Sequence, residues 1–133
     1  MSDICAECGE TDATRPFSGE TAVVVHAGQE TVVGDLSGQR CGTCGEVVFD
    51  ADSAARYAAA GDALVQAERM RQSREIRRIR RKLGLSQAAA ARLTGGGHNA
   101  FSRYERGEAA PMPAVINLLA LLDRHPELVK ELI

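Results

Sequence analysis

Four cysteines, all within the first third of the sequence, are the side chains best suited to bind a metal ion. They form two CxxC pairs, each followed by a glycine, at Cys5, Cys8, Cys41 and Cys44. Two residues between the cysteines let a tight turn direct both sulfurs at one point, and the glycine permits a left-handed backbone there. Four thiolates are the tetrahedral ligand set of a structural zinc site, which leaves no open position for a substrate. The spacing therefore predicts one structural zinc ion per chain.

Other chemistries of these cysteines have weaker support in the sequence. Disulfides are disfavoured in a reducing cytosol, and a redox-active CxxC pair normally occurs once, in a βαβ context. An iron–sulfur cluster, which also uses four cysteines, stays open as an alternative to zinc. His26 lies in a segment with strand character, and we interpret it as a surface residue rather than a ligand.

A second candidate site lies in the segment GGGHNAFSRYERGE, which runs from Gly95 to Glu108. On a helical wheel its aromatic side chains, Phe101 and Tyr104, face a core, whereas another face is polar and cationic. In the major groove, asparagine can hold adenine and arginine can hold guanine through two hydrogen bonds each. We therefore predict that double-stranded DNA is contacted by Gln87, His98, Asn99, Ser102, Arg103 and Arg106.

The glycines at 95–97 also allow other interpretations. A phosphate-binding P-loop would need a preceding strand and a Gly-Lys-Ser/Thr ending, which this segment lacks. A small helical bundle with a merely solvated polar face would need no ligand, and the sequence leaves this alternative open. Two interpretations also stay open for three arginines, which could contact a DNA backbone or form a solvated helix face: Arg69, Arg71 and Arg74.

Short strands are predicted to position the cysteines. Hydrophobic segments bounded by turn residues predict three of them. They lie at 21–26, 30–35 and 46–49. A turn at Gly28 and Gln29 joins the first two. An alanine-rich helix follows from residue 51, and Gly61 predicts an interruption in it.

A hinge is expected either near Gly61 or near residues 72–73, where Ser73 could cap a new helix. The first part of the chain should thus be a small zinc-bound α+β module for protein interaction over residues 1–66. A linker over 67–73 should connect it to the rest.

The remaining sequence predicts an all-α domain over residues 74–133. Ile76, Ile79 and Leu83 form a core-facing stripe on its first helix. Further helices are expected at 87–94, from 98 or 99 to 106, from 111 and from 126. Two short helices joined at the glycines form a helix-turn-helix, whose second helix enters the major groove. Apolar residues at 115–122 exceed the needs of one small core, which predicts a homodimer on a palindromic operator.

Charge divides the chain into two regions. Residues 1–67 carry 3 basic and 11 acidic side chains, a net of −8, whereas residues 68–108 carry 11 basic and 4 acidic, a net of +7. The basic region suits a polyanion such as DNA, and the acidic region suits a basic protein partner. No signal sequence or membrane span is evident, so a cytoplasmic protein is expected. The sequence shows no nucleophile–base pair or carboxylate pair, so an enzyme is not expected.

These motifs together resemble known families. The segments LGLSQ at 83–87 and SRYERG at 102–107 resemble the Xre/Cro helix-turn-helix class. With GGGHNAFSRYE at 95–105, LDRHPEL at 122–128 and the two CxxC pairs, the chain resembles the MqsA (YgiT-type) antitoxins of bacterial type II toxin–antitoxin systems.

The resemblance implies a function for each domain. It implies an N-terminal zinc domain that binds a ribonuclease toxin and a C-terminal domain that dimerises and represses its own operon. The base-reading asparagine and arginine of the family fall on Asn99 and Arg103, and its zinc ligands fall on the four cysteines. The prediction is therefore a bacterial cytoplasmic antitoxin and autorepressor with a basic ribonuclease toxin as partner. The alternative is a stand-alone zinc-containing helix-turn-helix regulator without a toxin.

Overall fold

The computed structural model describes residues 3–133, which form two compact units. One unit extends through Val65, and the other runs from Gln66 to Ile133. The strands are β1 (Thr14–His26), β2 (Gln29–Cys41) and β3 (Val47–Phe49). The helices are α1 (Ala51–Lys82), α2 (Gln87–Thr94), α3 (Ala100–Glu105), α4 (Pro113–Arg124) and α5 (Val129–Leu132), with a 3-10 turn at Pro126–Leu128. None of these helices combines the length and apolar character that a membrane crossing requires.

The first unit contains a three-stranded antiparallel sheet in the order β1-β2-β3. The turn between β1 and β2 uses Ala27 and Gly28, both at positive φ, so the predicted turn at Gly28 and Gln29 is one residue out of place. Two consecutive residues with positive φ are typical of the type I′ hairpin turn, which matches the twist of the paired strands. The first two strands are longer than predicted, and β2 ends at one of the four cysteines, Cys41.

Helix α1 packs onto the sheet through polar as well as apolar contacts. Ser53 is buried, and its hydroxyl accepts a hydrogen bond of 2.9 Å from the backbone amide of Ser37. The Arg56 guanidinium donates to the carbonyl oxygens of Gly34 and Asp35, each at 2.8 Å. Arg56 thus binds β2 where its register with β1 shifts and where Asp35 has a φ of 54°.

Helix α1 is one continuous helix of 32 residues, so the predicted interruptions at Gly61 and at 72–73 are wrong. Strong helix formers flank Gly61 on both sides, which offsets a cost of about 1 kcal/mol for glycine in a helix. Ser73 is a buried residue in the middle of α1. Its hydroxyl donates to the carbonyl oxygen of Glu105 and does not cap a new helix. The segment 67–73, expected to be a linker, is helical.

The second unit is helical and closes around an apolar core. Its buried members are Ile76, Ile79, Ala90, Ala91, Phe101 and Leu119. Helix α2 begins where the Ser86 hydroxyl accepts from the amide of Ala89, and it ends at Gly95 in the left-handed conformation. The predicted bounds of α2 are therefore confirmed, whereas α3 is shorter than the predicted helix from 98 or 99 to 106.

Candidate functional site

The two CxxC pairs adopt the same backbone turn. The Gly9 amide donates to the carbonyl oxygen of Cys5, and the Gly45 amide donates to that of Cys41, both at 2.9 Å. Gly9 and Gly45 have φ values of 76° and 81°, a region that favours glycine. The glycine after each pair thus closes the turn that directs its two sulfurs inward, as the sequence predicted.

The sulfurs of all four cysteines meet in one cluster. Every pair of Sγ atoms lies within 4.8 Å, and the cluster members are Cys5, Cys8, Cys41 and Cys44. The distances between turns are 3.6 Å for Cys5 and Cys44 and 3.8 Å for Cys8 and Cys41. These are too long for a disulfide bond, and all four cysteines are free. His26 is an exposed residue at the end of β1 and does not belong to the cluster.

Proton affinities within the cluster fit a cation site. Hydrogen bonds from the backbone amides of Cys44 and Thr43 lower the pKa of Cys41 to about 6. The pKa of Cys44 is raised to about 12, since desolvation and the three neighbouring sulfurs outweigh an opposing backbone hydrogen bond at Glu46. One thiolate is favoured, and further thiolates repel one another unless a positive charge is placed between them. A metal ion held by four thiolates would supply that charge.

Helix α3 has one buried and one exposed side. Phe101 is fully buried, and Tyr104 packs against it with ring centroids 5.5 Å apart. The exposed side carries Asn99 at the helix start and Arg103 one turn later. Within residues 3–133, neither of these two side chains forms a hydrogen bond or an ion pair, so both are available to a ligand.

The other predicted DNA contacts lie around this exposed side. His98 is exposed and Ser102 is half-buried. Arg106 is exposed, and it donates to the Ser102 carbonyl oxygen and pairs with Glu108 at 3.2 Å. Gln87 differs from the rest because it is half-buried and its amide donates to Glu105 at 3.1 Å. The structure therefore groups most of the predicted residues at α3, whereas Gln87 lies at the start of α2.

The buried carboxylate of Glu105 anchors α3 on its core-facing side. The Glu105 side chain is only 1% exposed, and the Arg80 guanidinium grips both of its oxygens, at 2.8 and 2.9 Å. Arg77 lies 3.3 Å from the same carboxylate. Desolvation opposes the shift, but hydrogen bonds and charge from Arg80 hold the pKa of Glu105 below its usual value. The sequence-based prediction missed this ion cluster, although the spacing of four residues from Phe101 places Glu105 on the core side of the helix.

A second ion cluster joins α1 to α4. Arg78 contacts Asp123 at 2.7 Å, and Lys82 contacts it at 2.9 Å. Hydrogen bonds from Arg78 and Lys82 keep the pKa of Asp123 well below its usual value. Part of the arginine-rich sequence of α1 is therefore used inside the helical unit rather than for binding a ligand.

The fold and site define a class of protein: a small α+β module with a four-cysteine cluster that could hold a metal ion, followed by a helical unit with an exposed polar helix. The family described as the antitoxin component of the bacterial toxin–antitoxin system, MqsA, matches residues 1–133. A curated relative, Antitoxin MqsA of Escherichia coli (strain K12), is 41% identical over 108 residues, which cover 79% of this chain and 82% of the relative. The chain belongs to the MqsA antitoxin family, and an antitoxin implies a toxin partner.

Proposed function

We propose that this antitoxin neutralises a ribonuclease toxin through residues 1–66 and represses its own operon as a DNA-binding homodimer through residues 74–133. The proposal places a non-enzymatic regulator in the bacterial cytoplasm. The two oppositely charged regions of the chain suit two different partners. The acidic region would attract a basic ribonuclease, and the basic region would attract DNA. Family membership supports the antitoxin role.

The metal in this proposal is one structural zinc ion per chain. Cys5, Cys8, Cys41 and Cys44 would hold it, and its chemistry would be limited to cross-linking the two turns. Four protein ligands leave no position for a substrate, so the ion organises the fold and catalyses nothing. Metal analysis of protein purified from its native host distinguishes zinc from iron.

DNA reading is assigned to α2 and α3 as a helix-turn-helix. The observation that carries this assignment is the pair Asn99 and Arg103, which are exposed and unpartnered within the described residues on a helix anchored by Phe101 and Glu105. A helix fixed from behind can hold its side chains in the geometry that base recognition requires. Asn99 would hold an adenine and Arg103 a guanine.

The variant Arg103→Ala tests the base-reading role. Operator affinity should fall by roughly 1–3 kcal/mol, with relaxed preference at one base pair, because a bidentate contact to guanine is lost. The operator is found first by selecting duplexes from a random pool with the full chain. Arg124→Ala removes the same charge from an exposed position at the end of α4 and serves as the control. An operator affinity equal to that of the control would refute the assignment of Arg103.

The toxin and the dimer are tested separately. A small basic reading frame beside this gene should encode a protein that co-purifies with the full chain, and a neighbourhood without one would favour the stand-alone regulator. Several large apolar side chains at the end of the chain are exposed and would be covered in a dimer: Leu121, Leu128, Leu132 and Ile133. Sedimentation should give the dimer mass at micromolar concentration, and a monomer there would contradict the proposed assembly.

A further inference from the structure

A groove in the second unit is lined mainly by arginines. It runs along one face of α1 to the end of α3, and its lining includes Arg74, Arg77, Arg78, Arg81 and Arg106. Glu105 is the only carboxylate of the lining, and its side chain is almost fully buried. The groove therefore presents a strong excess of positive charge to solvent.

The arginines of the groove differ in how far they are already bound. Arg78 is held by Asp123 and by Glu75, so its charge is compensated. Arg77 makes one long contact to a carboxylate that Arg80 already grips. Within residues 3–133, the side chains of Arg74 and Arg81 form no hydrogen bond or ion pair, and both are exposed.

Three of the guanidinium groups in the groove form a regular array. Arg74, Arg77 and Arg81 are separated by three and four residues, so they share one face of α1 over about 10 Å. A DNA duplex displays several phosphate charges over such a length. At the end of α3, Arg106 belongs to both the groove and the surface that carries Arg103. Its exposed pair with Glu108 is of the kind that contributes little and can be exchanged for a phosphate.

We propose that this groove binds the phosphate backbone of the same DNA duplex whose bases α3 reads. The inference rests on the proposed DNA-binding function and adds Arg74, Arg77 and Arg81 to it as backbone contacts. Guanidinium groups bind phosphate oxygens through paired hydrogen bonds regardless of base sequence. The groove thus supplies affinity and register, whereas Asn99 and Arg103 supply sequence preference.

The test uses the metal-loaded full chain and the double variant Arg74→Gln/Arg81→Gln. Neither side chain has a partner within the described residues, so the thermal unfolding midpoint should stay unchanged. The matched control, Arg124→Gln/Lys130→Gln, removes two exposed positive charges outside the groove. Affinity for the selected operator, for an unrelated duplex and for a hairpin RNA of equal length is measured from 50 to 300 mM salt.

The double variant should bind both duplexes more weakly, by about five- to ten-fold per arginine at 0.1 M salt, and its salt slope should fall by about 2 per bound chain. The control should match the wild type. The inference is overturned if the double variant binds DNA like the control, if only operator binding weakens, or if only RNA binding weakens. If any of these results is found but Asn99→Ala still weakens the preference for the operator, the groove inference fails and the proposed DNA-binding function stands. If the wild-type chain binds no duplex, the groove inference and the proposed function are both refuted.

Discussion

The two units are stabilised by different means. In the first unit the buried apolar side chains are few, and they include Val33, Leu36 and the metal-site cysteines Cys5 and Cys41. The second unit has a larger apolar core and, beside it, the buried ion cluster of Glu105. A small sheet of this kind buries little surface, so a metal ion held by the four cysteines would supply much of its folding free energy. The comparison teaches that loss of the metal should affect only one of the two units.

The largest effect is expected for Cys41→Ser. It removes a buried thiolate ligand, and structural zinc sites contribute on the order of 10 kcal/mol to the folding of small domains. The first unit should lose its bound metal and its strand signal in circular dichroism, while the helical signal of the second unit remains. Thr43→Ser, in the same turn, is the control and should retain the metal. Full metal binding by Cys41→Ser would contradict the four-thiolate site.

The next largest effect is expected for Glu105→Gln in the second unit. The change leaves the Arg80 guanidinium without its carboxylate, and breaking a buried ion pair costs about 3–5 kcal/mol. Chemical denaturation at neutral pH should show this loss for the second unit. Glu108→Gln, which breaks only an exposed pair, should change the free energy of unfolding by less than about 1 kcal/mol. Equal effects of the two variants would show that the buried cluster is not a structural anchor.

The stability difference between the wild type and Glu105→Gln should depend on pH. Because the folded-state pKa of Glu105 is lowered, its contribution is complete above the ordinary glutamate pKa of about 4.3 and is lost as the pH falls through the folded-state value. The difference in unfolding free energy between the wild type and Glu105→Gln should therefore shrink as the pH falls below about 4. A difference that stays constant down to pH 2 would contradict the assigned shift.

A smaller effect on the first unit is expected for Gly38→Ala. A Cβ at this position would lie 2.2 Å from the Val48 carbonyl oxygen and 2.8 Å from the Phe49 Cα, so β2 and β3 would have to separate. Overpacking of this kind costs roughly 1–3 kcal/mol. Gly97→Ala, where a Cβ meets no atom within 4 Å, is the control for the second unit. Thermal unfolding should show a lower midpoint for the first unit only.

The smallest effect is expected for Gly61→Ala, and it has the opposite sign. A Cβ there would make ordinary contact with Val24 at 3.8 Å, and alanine should stabilise a continuous helix by about 0.5–1 kcal/mol. The measurement is the denaturation midpoint of the first unit. A loss of stability would indicate that Gly61 is needed for a break in the helix, as the sequence alone predicted.

The sequence predicted the cluster of four cysteines and the helices around Phe101 because local spacing determines both. It missed the first half of β1, since Pro16 and Gly19 weaken the strand signal and only pairing with β2 holds that segment in the sheet. It also misjudged Ser73, whose hydroxyl donates to the Glu105 carbonyl oxygen, and it did not foresee the hydrogen bond from the Gln87 amide to the Glu105 carboxylate. Glu105 is 32 and 18 residues away from them in sequence, so no local pattern could reveal these contacts.

Residue-resolved hydrogen exchange on the full chain, with and without a zinc chelator, tests the central claim most directly. Chelation should remove protection from the strands between residues 14 and 49 and leave it at Ile76, Phe101 and Leu119. Binding of the selected operator should persist in the same sample. Loss of protection in both units together, with loss of DNA binding, would contradict the claim that the metal stabilises one unit and the apolar core the other.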